Sequence, residues 1–116
     1  MITRHGMLFA AVAGSLWLGV EALAEQNGIA TVYSYRGGKT ASGEHSNPRG
    51  LTAAHRSLPF GTKVRVTNHR NGRTVVVRIN DRGPFLRGRV IDLTPATASQ
   101  LGFNGLARVS LSPVAD

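Results

Sequence analysis

Lys63-Val64-Arg65-Val66-Thr67-Asn68-His69-Arg70-Asn71-Gly72-Arg73-Thr74-Val75-Val76-Val77-Arg78-Ile79 is the stretch that decides the fold class. Residues 63–68 alternate polar and apolar side chains, the period of a strand with one face buried. Residues 73–79 are rich in β-branched side chains, which fit a pleated, half-buried surface. Asn71-Gly72 lies between the two runs and is a strong hairpin signal, because both residues tolerate positive φ. An antiparallel pair is therefore predicted, with Val64, Val66, Val75, Val77 and Ile79 as core candidates.

The same short-strand rhythm continues on both sides. Gly28 to Tyr35 reads as a first strand, Leu51 to Ala54 as a short one, Arg89 to Leu93 as another and Ala107 to Leu111 as the last. Pro59-Phe60-Gly61-Thr62 and Asp81-Arg82-Gly83-Pro84 are turn signals. One helix is well punctuated: Thr94 at the N-cap, Pro95 at the first helical position and Gly102 past the end. Residues 36–50 (RGGKTASGEHSNPRG) form a long polar loop, a length more often functional than incidental inside a compact domain. The fold class is mainly β, a small barrel with one short helix.

Composition bounds the rest. The chain has 116 residues, 14 Lys+Arg against 6 Asp+Glu, a net charge of +8 and no cysteine. The absent cysteine excludes a disulfide scaffold, a thiolate metal site and a cysteine nucleophile. Residues 1–24 carry Arg4, an uncharged run from Met7 to Val20, then Ala22-Leu23-Ala24, the pattern of a cleaved secretory signal peptide. The expected domains are thus a signal peptide at 1–24 and a barrel at 25–116, in the periplasm or secreted. Arg4 and Glu21 leave together, so the mature charge stays +8. No stretch reaches the roughly 18 apolar residues of a membrane-spanning helix, so no stable membrane anchor is expected. The basic residues are scattered, without the aromatic interleaving of a nucleic-acid binder; no nucleic-acid partner is expected, and an anionic envelope polymer suits the charge.

Few groups could do chemistry. Glu44 sits in the polar loop where no core demands it, Asp81 directly follows a strand, and Asp92 lies between Ile91 and Leu93 on the opposite side from both. Asp81 alone also reads as a turn former. His45 adjoins Glu44, His69 sits in a hairpin turn, and His55 could meet the loop carboxylate in space. The three histidines lack the close spacing of a zinc site, so neither metal nor cofactor is expected.

Several blocks, in order, resemble the rare lipoprotein A family. They are Gly28-Ile29-Ala30-Thr31-Val32-Tyr33, Lys39-Thr40-Ala41-Ser42-Gly43-Glu44, Leu51-Thr52-Ala53-Ala54-His55, Leu58-Pro59-Phe60-Gly61-Thr62, Val75 through Phe85 and Arg89 through Thr94. The resemblance spans Gly28 to Leu111 and implies a six-stranded double-psi β-barrel. It implies an endolytic murein transglycosylase acting on peptidoglycan glycan strands that lack stem peptides. It also places the family's site positions on Glu44, His55 and Asp81. Family members are often lipoproteins with a further glycan-binding repeat, whereas this chain has no cysteine to lipidate and no such repeat is expected here.

On this reading Asp81 is the general acid, Glu44 and His55 tune it or steady positive charge, and Asp92, Arg78 and Tyr33 contact substrate. Asp92 stands second as the acid. The rival reading is a non-catalytic, expansin-like glycan-binding or wall-loosening module using the same groove. A plain hydrolase is the third, since two carboxylates at a suitable separation would permit it. The protein is expected to act as a monomer.

Overall fold

A computed structural model describes residues 25–33 and 37–115. The expected signal peptide lies outside the described residues, as do residues 34–36 of the expected first strand. The elements are β1 (Gln26–Val32), β2 (Thr52–Ala54), β3 (Lys63–Asn68), β4 (Thr74–Asp81), β5 (Arg89–Leu93), α1 (Pro95–Leu101) and β6 (Ala107–Pro113). The strands close into a barrel in the order β1-β5-β2-β4-β3-β6. Two pairs are parallel, β1 with β5 and β2 with β4; the other four are antiparallel. Among the described residues this is the six-stranded double-psi barrel with one short helix that the family resemblance implied.

The decisive hairpin forms in the expected register, Val64 opposite Val77 and Val66 opposite Val75. All five core candidates are buried, at 8% exposure or less, and they share one core with Ile91, Leu93, Val109 and Leu111. Full burial of one such side chain contributes roughly 1.5–3 kcal/mol.

The hairpin turn is wider than Asn71-Gly72 suggested. Asn68 N donates to Arg73 O at 2.9 Å, and Gly72 N donates to Asn68 O at 2.7 Å. The loop has a second task that shapes it: Asn68 and Asn71 donate to Leu101 O at 2.9 and 3.0 Å, capping the last turn of α1. At the other end Thr94 Oγ1 accepts from Thr97 N at 3.1 Å, the expected N-cap. Gly102 closes the helix at φ 79°, and a Cβ there would sit 2.8 Å from both Arg73 Nη1 and Asn71 Nδ2.

Two register irregularities occur, one in each parallel pair: between Ile29 and Ala30 on β1, and between Ala53 and Ala54 on β2. The second brings Ala54 opposite Asp81 on β4, while its other edge faces Asp92 on β5. Asp92 is in turn opposite Thr31 on β1. Thr31, Asp92, Ala54 and Asp81 therefore form one row across four strands, and this row positions the candidate site.

Candidate active site

Asp81 is the last residue of β4. Its Oδ1 accepts two backbone N–H bonds, from Ala41 and from Arg82, each 2.9 Å. Among the described residues its Oδ2 accepts a single, long bond, from the Tyr33 hydroxyl at 3.4 Å. Tyr33 lies near both Asp81 and Asp92. Burial, then the two carboxylate charges and the bond to Asp81, push its hydroxyl well above the ordinary phenol range, so it stays a neutral donor. Asp92 is half-buried and accepts from Thr31 Oγ1 at 2.6 Å. Burial raises the Asp92 carboxyl above its usual range; the bond from Thr31 works against this, and the charge of Asp81 adds to it.

Glu44 sits in the loop between β1 and β2 and is tied to β4. Arg78 grips it with both Nη groups, Nη2 to Oε1 at 3.1 Å, and Asn80 Nδ2 donates to Oε1 at 2.9 Å. The bonds from Arg78 and then from Asn80 hold the Glu44 carboxyl down to about 2. Glu44 is therefore ionised at neutral pH and has no proton to give.

His55 is 4% exposed. Its backbone N donates to Asp81 O at 3.1 Å, but its ring bonds elsewhere. Nδ1 accepts from Ser57 N and Leu58 N, both 3.1 Å, which leaves the proton on Nε2 to donate to Gln26 Oε1 at 2.9 Å. Burial, then the charges of Arg56 and Arg82, lower its pKa, so the ring is neutral. His55 shares no hydrogen bond with Glu44. His69 is exposed and bonds Ser110 Oγ at 2.6 Å, away from the site. Among the described residues no group of three His, Cys, Asp or Glu side chains could hold a metal.

The structure thus brings Tyr33, Asp81 and Asp92 together, places Glu44 and Arg78 beside them through Asn80, and ties His55 to the end of β4 by its backbone while its ring bonds Ser57, Leu58 and Gln26. Asn80, Thr31 and Gln26 were missed in the sequence. Asn80 had a signal, as a polar residue beside Asp81 at a strand end, but read only as part of a turn.

Three cavities adjoin one another through shared lining residues. One, about 170 Å³, is lined by Tyr33, Asn80 and Asp81. A second, about 370 Å³, holds Glu44 and Arg78 and shares Asn47, Thr52 and Asn80 with the first. A third, about 640 Å³, shares Pro95 with the first and runs past Phe103 and Leu106. Asp81 lines the cavity that shares residues with both of the others.

A family model described as lytic transglycolase matches residues 25–111. The chain belongs to this lytic transglycolase family of double-psi β-barrels. Curated members of the family include a Nostoc protein named "Probable endolytic peptidoglycan transglycosylase RlpA". It is 65% identical over 82 residues, covering 67% of this chain and 22% of that protein. The Neisseria meningitidis serogroup A protein named "Endolytic peptidoglycan transglycosylase RlpA" is 43% identical over 109 residues, 89% of this chain and 46% of that one. The chain spans about a quarter of the length of the first curated relatives it matches. Among solved structures, an apo expansin from Clavibacter michiganensis aligns at TM-score 0.60 with 26% identity, over 79% of this chain and 51% of that one. A Streptomyces papain inhibitor, at TM-score 0.60 and 24% identity over 78% of this chain and 94% of that one, shares the fold.

Proposed function

We propose that this lytic transglycolase domain cleaves peptidoglycan glycan strands within the chain, leaving 1,6-anhydro-N-acetylmuramic acid ends. The observation that carries the reading is the place of Asp81 in a cavity that adjoins two others, one through Asn47, Thr52 and Asn80 and one through Pro95, which suits attack on the interior of a polymer. Relatives named as endolytic peptidoglycan transglycosylases support the substrate class.

With Oδ1 occupied by two N–H donors, Oδ2 is the oxygen free to carry the exchanged proton. Asp81 gives that proton to the glycosidic oxygen as the C1–O bond breaks. The resulting carboxylate then takes the proton of the C6 hydroxyl as that oxygen closes on C1. Proton and bonds balance without water, metal or cofactor. Tyr33, a neutral donor, lines the same cavity, and it and Asp92 contact the sugar. A general acid–base group of this kind contributes about 10²–10⁴-fold to rate. The protein acts as an exported monomer, in the periplasm or outside the cell, where +8 favours an anionic wall.

A second reading, a glycan-binding module without cleavage, is favoured by one observation: an expansin aligning at TM-score 0.61 is described in complex with cellohexaose. Incubating the purified protein with glycan strands stripped of stem peptides, then weighing the products by mass spectrometry, separates the readings. Anhydro ends are expected. Reducing ends would make it a hydrolase, and binding without products would make it an expansin-like module.

A further inference from the structure

Residues 39–46 form a small loop with its own hydrogen bonds. Lys39 and His45 pair as an isolated bridge, Thr40 N donates to Glu44 O at 2.8 Å, and Gly43 N donates to Thr40 O at 2.9 Å. The loop docks on the end of β4 through consecutive contacts. Glu44 meets Arg78 and Asn80, Ser42 N donates to Asn80 O at 3.2 Å, and Ala41 N donates to Asp81 Oδ1 at 2.9 Å.

We infer that Glu44 and Arg78 work as a latch whose task is to hold the Ala41 N–H on Asp81 Oδ1, so that both are positioning residues for Asp81. The inference rests on the reading of Asp81 as the acid–base group. Four observations carry it. Both carboxylate oxygens of Glu44 are engaged by Arg78, and a two-point grip of this kind fixes geometry as well as charge. Glu44, at about 2, has no proton to exchange near neutral pH. Of the two N–H bonds on Oδ1, the one from Arg82 comes from the next residue in the chain and does not need the loop. The one from Ala41 exists only while the loop is docked. Finally, Asn80 Oδ1 is buried without a partner, because the amide is turned to put Nδ2 on Glu44. Leaving a buried acceptor unpaired is costly, so the contact with Glu44 dictates how Asn80 sits.

Opening the latch frees the loop and lets the Asp81 carboxyl rotate, so that Oδ2 no longer faces the groove alone. The loss falls mainly on kcat, with a smaller rise in KM because Lys39 and Thr40 of the loop line the cavity beside Asp81. A misplacement of about 1 Å costs on the order of 10²-fold in rate.

The test is a double-mutant cycle with Glu44→Gln, Arg78→Met and the pair combined, read as kcat and KM on glycan strands and as hydrogen exchange of the Ala41 amide by NMR. Asp81→Ala gives the exchange reference with the acceptor removed. Each single variant is expected to lower kcat by about 10²-fold with a smaller rise in KM. The double variant should be no worse than the poorer single, and Ala41 exchange should rise in all three to the Asp81→Ala level. Arg78→Lys, which keeps the charge but not the fork, should fall between wild type and Arg78→Met. A double variant that costs the product of the singles would place Glu44 and Arg78 separately on the substrate and overturn the latch. Unchanged Ala41 exchange in both singles would overturn it too. Should the wild type cleave no glycan, the functional reading fails. The exchange arm still decides the latch: a rise equal in singles and double supports it, no rise rejects it.

Discussion

Asp81 and Asp92 are registered partners of the same residue, Ala54, one on each side of β2. A single alanine thus separates two carboxylates on neighbouring strands, which lie about 4.8 Å away on either side. Their environments differ. Asp81 has one oxygen tied by two N–H groups and the other nearly free, whereas Asp92 is half-buried against Thr31 and held toward its neutral form. Unequal surroundings for paired carboxyls are how such sites divide roles.

Asp81→Asn keeps the size and the turn-forming bonds but removes the exchangeable proton. If Asp81 were only a turn former, asparagine would serve nearly as well. The expected outcome is a loss of anhydro-ended products by about 10²–10⁴-fold with folding and glycan binding retained. Asp92→Asn should cost less. The reverse order, measured by product release from the same strands, would move the acid to Asp92.

Stability should respond to the two flanking carboxyls with opposite signs. Glu44 has a folded pKa of about 2 against an ordinary 4.5. Its contribution is present above about pH 4.5 and fades as pH falls toward 2; Glu44→Gln should flatten that acid limb, modestly, because the pair is more than a third exposed. Asp92 is raised, so the folded state holds its proton more tightly than the unfolded one. Its ionisation therefore removes stability as pH rises above the ordinary carboxylate range, and Asp92→Asn should abolish that loss. Thermal melts from pH 2 to 7 for wild type and both variants would read the two slopes; slopes of the same sign would contradict the assignment.

Val77 faces Val64 at the barrel's centre and is 1% exposed. Val77→Asp buries a charge with nothing to pair it and should leave the domain unfolded at room temperature by circular dichroism. A variant melting like wild type would mean the register is other than described.

The strands were legible where local signals decide them. Alternation at 63–68, the β-branched run at 73–79 and the Thr94, Pro95 and Gly102 caps each depend on residues a few positions apart. The chemistry depends on contacts no local pattern encodes. Thr31 bonds Asp92 across 61 residues, Asn80 bonds Glu44 across 36, and Gln26 bonds His55 across 29. The double pairing of Ala54 follows from a register shift within a three-residue strand, too short to carry a periodic signal. The hairpin turn was misjudged in width for a related reason. Asn71 looks like a turn residue, and its second role, capping α1 at Leu101, lies 30 residues away.

Attraction to the wall should be partly electrostatic, given the charge of +8 and an anionic polymer. Exposed charges are screened over about 8 Å at 0.15 M salt and over about 30 Å at 0.01 M. Retention of an Asp81→Asn protein on insoluble peptidoglycan should therefore weaken across that range. Retention independent of salt would assign recognition to sugar contacts along the groove.

His55 carries the last prediction, because its burial and its proposed relevance to the chemistry pull in different directions. The ring accepts from Ser57 N and Leu58 N and donates to Gln26, so it organises the turn after β2. Arg82 reinforces the same turn by donating to His55 O and Leu58 O, at 3.2 and 2.8 Å, with its guanidinium 4.1 Å over the Phe60 ring. His55→Ala leaves two backbone donors without their acceptor, an effect of about 1–3 kcal/mol. For a domain of this size that is a fall of roughly 4–8 °C in Tm per kcal/mol. The lowered pKa gives a second signature. The folded state favours the neutral ring, so stability is lost as pH falls below the ordinary value of 6.5, and a variant without the imidazole lacks this slope. Activity of His55→Ala should follow the fraction folded, recovering at temperatures well below its Tm. A variant with wild-type Tm but no cleavage would instead put the imidazole in contact with the reacting sugar.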